Sequence, residues 1–495
     1  MTLIGMFCIL KRLPVSLTLS LAFIVMGCGG IMDYKELDKE VITFPDYQNI
    51  VLPENIAPLN FIIRDKAQRY KVVLRGSSEN EIEVKSGDGR IVFPFSKWKA
   101  FLKDNSGKKI VLEFFLKQSG EWIKYKNAIN FVTAESIDPY LVYRLIEPGY
   151  ETWNKMGIYQ RNLETFDETP IMINDMSDGN CMNCHSFCKN SNNEMLFHMR
   201  AQNGGTYILK SGKVTKVDTK TDSTLSAGVY PSWHPGGRFV AFSVNRIVQS
   251  FHAIPQRKIE VIDTLSDLIV YDIKLNKVLT SNAIASSARY ETFPVWSPDG
   301  GSLYFCSADY QHYRNFENIK YDLLKVHFDT VTARFGTIDT VIAAARNGYS
   351  VSFSRISPDG RTLMFCKTTY GNFTIWHDDS DIYALDLSNM HMYKPDINSN
   401  RSESYHNWSS SGRWMVFSSR RLDGLYTRPF FTYIDKEGKA HKPFLLPQKD
   451  PEFYLDFLKS YNVPELVKAK VDLDPRKLEE IVKTEAVKSS FERIF

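Results

Sequence analysis

The stretch "PVWSPDGGSLYFCSA", residues 294–308, carries a bulky residue, a polar turn containing glycine, a few apolar residues, an aromatic and a small residue. That order reads as a β-hairpin. The turn needs glycine at a positive φ, and the strand after it buries its apolar side. The pattern returns in "PSWHPGGRFVAFSV" from Pro231, "SRISPDGRTLMFCKT" from Ser354 and "HNWSSSGRWMVFSSR" from His406. Anchored on Trp233, Trp296, Ile356 and Trp408, the spacings are 63, 60 and 52 residues. Repeats of this length hold about four strands each, which is the period of a β-propeller.

The ring extends in both directions. "CHSFCKNSNNEMLFHMR", ending at Arg200, fits the same template with one extra turn residue, Phe187 taking the tryptophan place. Residues 140–175 supply a further blade, and the chain after Gly424 completes the last. Six blades are expected over residues 137–448. The "SPDG" form resembles the TolB-type, WD-like propeller repeat of exported bacterial proteins, over roughly Ile137 to Gln448.

Within this region Cys181-Met182-Asn183-Cys184-His185 spells CxxCH, the attachment signature of c-type haem. Two thiols add across the two vinyl groups of one porphyrin, and the following imidazole reaches the iron. The cofactor expected is a single covalent haem c on Cys181, Cys184 and His185. Together with the repeat this looks like haem-bearing propeller lipoproteins of Bacteroidetes-type bacteria, at the level of motifs. A redox-active CxxC thiol pair and a zinc site with Cys188 are the competing readings. Cys188 itself is not needed for haem attachment.

His198 stands where the other repeats keep Ser243, Cys306, Cys366 and Ser418, so it is a candidate sixth ligand. The pairing of the hairpin puts it nearly opposite Asn183 or Cys184, roughly 5 Å away, too close to sandwich a porphyrin. Contact with the haem edge, beside Arg200 as a charge partner for a propionate, is the alternative. Met195, Met199, His234, His252, His377 and His406 are further candidates. Cys306 and Cys366 read as buried structural thiols. The acidic runs "WHDDSD" (376–381) and "DLDP" (472–475) read as solvated loops.

The N-terminus speaks to compartment. Lys11 and Arg12 precede the apolar run "LPVSLTLSLAFIV", which ends in "VMGC". A basic stretch, a short apolar run and a small residue before the cut describe an export signal over residues 1–27. Cys28 after that cut resembles the lipobox of bacterial lipoproteins, which implies a lipid on Cys28 and an outer-membrane or cell-envelope location, periplasmic or surface-facing.

Residues 28–45 read as a tether. Residues 46–135 contain short apolar runs between turn signals, the pattern of a β-sandwich of immunoglobulin or Fn3 type. Residues 449–495 read as two amphipathic helices. The fold class is therefore mostly β: a sandwich, a propeller and a short helical tail.

The formal net charge of +4 and the absence of a basic stripe give no sign of a nucleic-acid partner. No GxSxG, HExxH or P-loop is present, no catalytic constellation is recognisable, and a hydrolase is not expected. Paired glycosidase carboxylates keep no fixed spacing to read. Two functions follow: a membrane-anchored haem protein that transfers electrons or senses redox state, or a haem-free TolB-like scaffold binding protein or glycan partners in the envelope. His185 directly after Cys184 is what haem attachment needs and a scaffold does not.

Overall fold

The computed structural model describes residues 33–77, 80–147, 155–252 and 259–494. The signal and Cys28 lie outside the described residues, as do residues 148–154 within the first expected blade. Among the described residues no helix is long and apolar enough to cross a membrane.

The repeat positions become hairpins, and the hairpins become sheets. Trp233, Trp296, Ile356, Trp408 and Phe187 are each the last residue of a strand: Val229–Trp233, Arg289–Trp296, Ser350–Ile356, Glu403–Trp408 and Met182–Phe187. Each opens an antiparallel sheet of four consecutive strands. The turn chemistry recurs in detail. In the fourth sheet Gly300 has φ 79°, its N–H donates to the Ser297 carbonyl, and Ser297 Oγ accepts from the Ser302 N–H at 3.0 Å. Ser357 and Gly360, then Ser409 and Gly412, repeat this arrangement.

The sixth such sheet, first in chain order, is built differently. Tyr140–Ile146, Gly157–Asn162 and Glu168–Ile173 run consecutively, and the strand beside Tyr140–Ile146 comes from the far end of the chain, Ser460–Val467. The lead strands touch in a closed cycle, from Met182–Phe187 through each next sheet to Ser460–Val467 and back to Met182–Phe187. The arrangement is propeller-like, and its core lies between successive sheets. Trp233 and Phe242 of the third sheet pack with Leu196 and Ile208 of the second, and Trp296 of the fourth with Phe239 and Val270 of the third.

The expected helical tail is corrected here. Only Phe453–Asp456 and Pro475–Val482 are helical; Ser460–Val467 is the closing strand, and Val487–Lys488 and Ser490–Ile494 add parallel to the outer edges of the second and third sheets. Pro464 gives the physical reason. Inside a helix it would remove a hydrogen bond at a cost of roughly 3 kcal/mol, whereas at a bulge no ladder N–H is required of it. Val463 and Pro464 occupy such a bulge, between Asn462 and Glu465 in the register with Tyr140–Ile146. The helix Pro475–Val482 is capped by Asp474, which accepts from the Arg476 N–H at 3.0 Å.

The N-terminal region holds a seven-stranded sheet and a three-stranded sheet. Every apolar run expected there contributes a strand, with one addition: Phe95–Asp104 is a helix, burying Trp98, Phe101 and Leu102 at helical spacing. The tether is shorter than expected, because Tyr34–Glu36 pairs in parallel with Glu121–Lys124. This region docks on the first and last sheets of the ring. Asn60 donates to the Gln448 and Lys449 carbonyls, and Trp414 Nε1 donates to the Glu135 carbonyl at 2.8 Å.

Candidate functional site at the centre of the ring

Every lead strand contains the same irregularity. Cys184, Tyr230, Phe293, Phe353, Tyr405 and Val463 have φ between 47° and 53°, each three residues before the repeat's bulky position. Each sits at a register shift, where two residues on the lead strand face one on its neighbour. A bulge of this kind re-aims a side chain at some cost. Left-handed backbone is uncommon for bulky residues, and such positions gather at functional sites. All six line one central cavity of about 260 Å³. Four of them adjoin in sequence as mutually tilted rings, at 51°, 49° and 54°, with ring centroids 4.5 Å apart for Tyr230–Phe293, 4.4 Å for Phe293–Phe353 and 4.8 Å for Phe353–Tyr405.

The cavity has a roof. The hairpin Phe239–Phe251 and Ile259–Asp272 is much longer than its counterparts, and Ile247, Gln249, Ile259 and Val261 face the cavity. It is pinned to the fifth sheet. Glu260 meets His377 Nε2 at 3.0 Å and accepts from the Tyr370 hydroxyl at 2.5 Å, and Asn372 donates to Asp263 at 2.6 Å. These contacts explain "WHDDSD", which is not a solvated loop: Asp378 pairs with Arg401 and Asp381 with Lys394, and Asp379 accepts from Thr369.

Four guanidinium groups stand on the wall. Arg144 donates to the Met182 carbonyl and to Asn462 Oδ1, both at 3.0 Å, and its Nε has no partner. Arg420 lies with Cζ 3.3 Å from the centre of the Trp376 ring and donates to the Ile375 carbonyl at 2.8 Å; burial pulls its pKa down to about 9. Arg355 donates to the Ser354 carbonyl, and Arg200 completes the set.

Cys181, Cys184, His185 and Arg200 all border this cavity. The imidazole of His185 is buried, with both nitrogens lacking a hydrogen-bond partner, and burial holds it neutral, its pKa lowered to about 3. His198 pairs directly across from Asn183, as the hairpin implied. It is buried away from the cavity wall, with Nδ1 3.3 Å from Thr206 Oγ1. Met195 and Met199 are core. None of the five described cysteines is in a disulfide, and among the described residues no three His, Cys, Asp or Glu side chains gather to hold a metal ion.

No known protein family matches the chain, and no curated protein matches it. Solved structures do show similarity. The chain resembles the Dos1 propeller at 15% identity, covering 56% of this chain and 66% of that one, with a TM-score of 0.32. A putative dipeptidyl aminopeptidase IV from Bacteroides ovatus ATCC 8483 is 14% identical, covering 61% and 52%, with a TM-score of 0.27. The nidogen/laminin complex is 9% identical, covering 67% and 99%, with a TM-score of 0.36. The propeller-like fold is read from the sheets themselves.

The repeat accounts for much of the cysteine and histidine chemistry. Cys188 takes the place of Ser297, Ser357 and Ser409 at the start of the turn, its carbonyl accepting from the Ser191 N–H. His234 holds that place in the third sheet, Nδ1 accepting from the Gly236 N–H at 3.0 Å. His185 takes the place of Pro231, Pro294, Ser354, His406 and Pro464. His406 is likewise buried, with both nitrogens unpartnered. The aromatic ring and Arg144, Arg355 and Arg420 escaped the sequence reading. The ring's signal was an aromatic three residues before Trp233, Trp296, Ile356 and Trp408, visible only once the repeat is aligned; the arginines left none.

Proposed function

We propose that this chain is a six-bladed propeller binding protein that takes a small ligand in its central cavity, as a haem-free scaffold of the cell envelope. The observation that carries the reading is the set of six non-glycine left-handed residues converging on one cavity. The two N-terminal sheets form a sandwich-type module docked on the ring, and a lipid on Cys28 tethers the whole to a membrane, which membrane fractionation tests.

Filling the cavity from its least bulky polar edge tests the central claim. In a thermal-shift screen, a ligand at about one hundred times its Kd stabilises the wild type by roughly 2.7 kcal/mol. The Cys184→Trp variant is expected to lose that shift while keeping its own fold. Ligands that stabilise both proteins equally would move binding elsewhere and end this reading.

A covalent haem c at the same cavity is the second reading, favoured by one observation: both thiols and the unpartnered imidazole border a single space. Cys181 and Cys184 would hold the ring, His185 the iron, and Arg200 a propionate; bound haem supplies one-electron transfer. It ranks second because His406 repeats the isolation of His185 without any cysteine pair. His198 is not carried into this reading, being buried off the wall. Protein from a host that matures c-type cytochromes decides between them. A haem-stained, coloured wild type and a colourless Cys181→Ala/Cys184→Ala variant would establish haem; a colourless wild type would remove it.

A further inference from the structure

Several arginines elsewhere in the molecule have carboxylate partners. Arg238 pairs with Asp272 at 2.6 Å, Arg289 with Asp309 at 2.6 Å, Arg401 with Asp378 at 2.7 Å and Arg421 with Glu403 at 3.2 Å. The cavity wall holds four that do not. Among the described residues Arg144, Arg200, Arg355 and Arg420 have no carboxylate within ion-pair distance; three of them donate to carbonyls or an amide. The cavity's carboxylate, Glu147, is taken by Lys459 at 3.4 Å. Arg420 is buried, Arg144 and Arg355 are half-buried and Arg200 is exposed, and the carboxylate that acts most on Arg355, Glu465, does so without an ion-pair contact; a buried charge without a close partner is costly. Arg428 and Arg161 show that this fold can hold buried guanidinium groups on carbonyls and an amide, but neither faces the cavity.

From these groups we infer that the ligand of the central cavity is an organic anion with a flat apolar body, a carboxylate or phosphate ester on an aromatic or similarly planar skeleton. The inference rests on the central-cavity reading and specifies its ligand. The adjoining, tilted rings of Tyr230, Phe293, Phe353 and Tyr405 form an aromatic wall against which such a body packs. Guanidinium forks match carboxylate and phosphate oxygens bidentately. Arg144 is held by the Met182 carbonyl and Asn462, and Arg420 is held rigid on Trp376, so neither must be ordered when the anion arrives. The space of about 260 Å³ sits near the lower end of small-molecule pockets, which suits a two- or three-ring body.

The experiment uses three probes sharing one skeleton: 2-naphthoate, 2-naphthyl phosphate and neutral 2-naphthol, titrated into the purified protein by calorimetry. The anions are expected to bind at least about tenfold more tightly than 2-naphthol, a difference of about 1.4 kcal/mol. Whichever anion binds more tightly distinguishes carboxylate from phosphate. Arg200→Ala, an exposed substitution, is expected to weaken the anions several-fold and leave 2-naphthol unchanged. Arg420→Lys keeps the charge but loses the fork, and is expected to weaken the anions as well. Equal affinity for 2-naphthol and the anions, or anion binding insensitive to both variants, would overturn the ligand class while the cavity reading stands. Binding of none of the three overturns the ligand class too, and the Cys184→Trp screen then decides the cavity reading separately.

Discussion

Removing residues 460–495 is expected to abolish cooperative folding of the ring. The lost strand Ser460–Val467 pairs along Tyr140–Ile146 and touches the lead strands of both neighbouring sheets. It buries Tyr461, Leu466 and Val467 almost completely. Each such side chain is worth roughly 1.5–3 kcal/mol on burial, and the opened ring would also expose the facing apolar residues of its neighbours. Against a net stability of about 5–15 kcal/mol, that loss leaves no folded ring. A chain ending at Asp472 is the control. It keeps the closing strand and loses only the helix Pro475–Val482 and two edge strands that are mostly exposed. Circular dichroism and urea unfolding should show a cooperative transition for the control and none for the shorter chain. A cooperative transition in both would mean that the ring closes without Ser460–Val467.

The second large effect is in acid. His185, His198 and His406 are buried, and desolvation lowers each pKa from 6.5 to about 3. In the unfolded chain they protonate near 6.5, so the unfolded state binds more protons below that value. Each therefore contributes stability that is complete above pH 6.5 and is lost as pH falls toward 3. The slope is about 1.4 kcal/mol per pH unit for each group.

Two buried carboxyls work in the opposite direction. Burial pushes Glu291 and Glu465 from 4.5 up to about 8, so their contribution is complete below 4.5 and lost as pH rises through 8. Between 6.5 and 4.5 the two sets largely offset each other. Asp263 and Asp267, which burial raises from 3.8 to about 6, add to that offset, so the histidine loss dominates only below 3.8. His406→Pro tests the cause, because Pro231, Pro294 and Pro464 hold the same place after a left-handed residue in three other sheets. Urea unfolding from about pH 7 to about pH 4 should show the variant gaining on the wild type by about 1.4 kcal/mol per pH unit as pH falls below 6.5. An unchanged slope would put the acid lability elsewhere.

How much was legible in the sequence follows from what a repeat preserves. The SPDG turns, the strand-ending anchors and the pairing of His198 opposite Asn183 were readable because they are local, set by turn geometry and a period-two alternation within one hairpin. The helix Phe95–Asp104 was readable in principle, from Trp98, Phe101 and Leu102, but lay among strand-like runs. The tail was misjudged because "SYNVPELV" has no periodicity of its own. Its conformation is imposed by Tyr140–Ile146, more than three hundred residues earlier, and by the need to close a ring.

By itself, then, the sequence determined the hairpin unit, its recurrence and the positions of its turns, since each depends on residues a few places apart. Only the tertiary structure decided what the unit's exceptions are for. It places Cys184 in one ring with Tyr230, Phe293, Phe353, Tyr405 and Val463, sets His185 in the place that His406 holds, and brings four arginines without carboxylate partners to one cavity. Those groups are scattered from Arg144 to Val463 along the chain. They meet because six bulged strands converge on an axis, and no local spacing records that convergence.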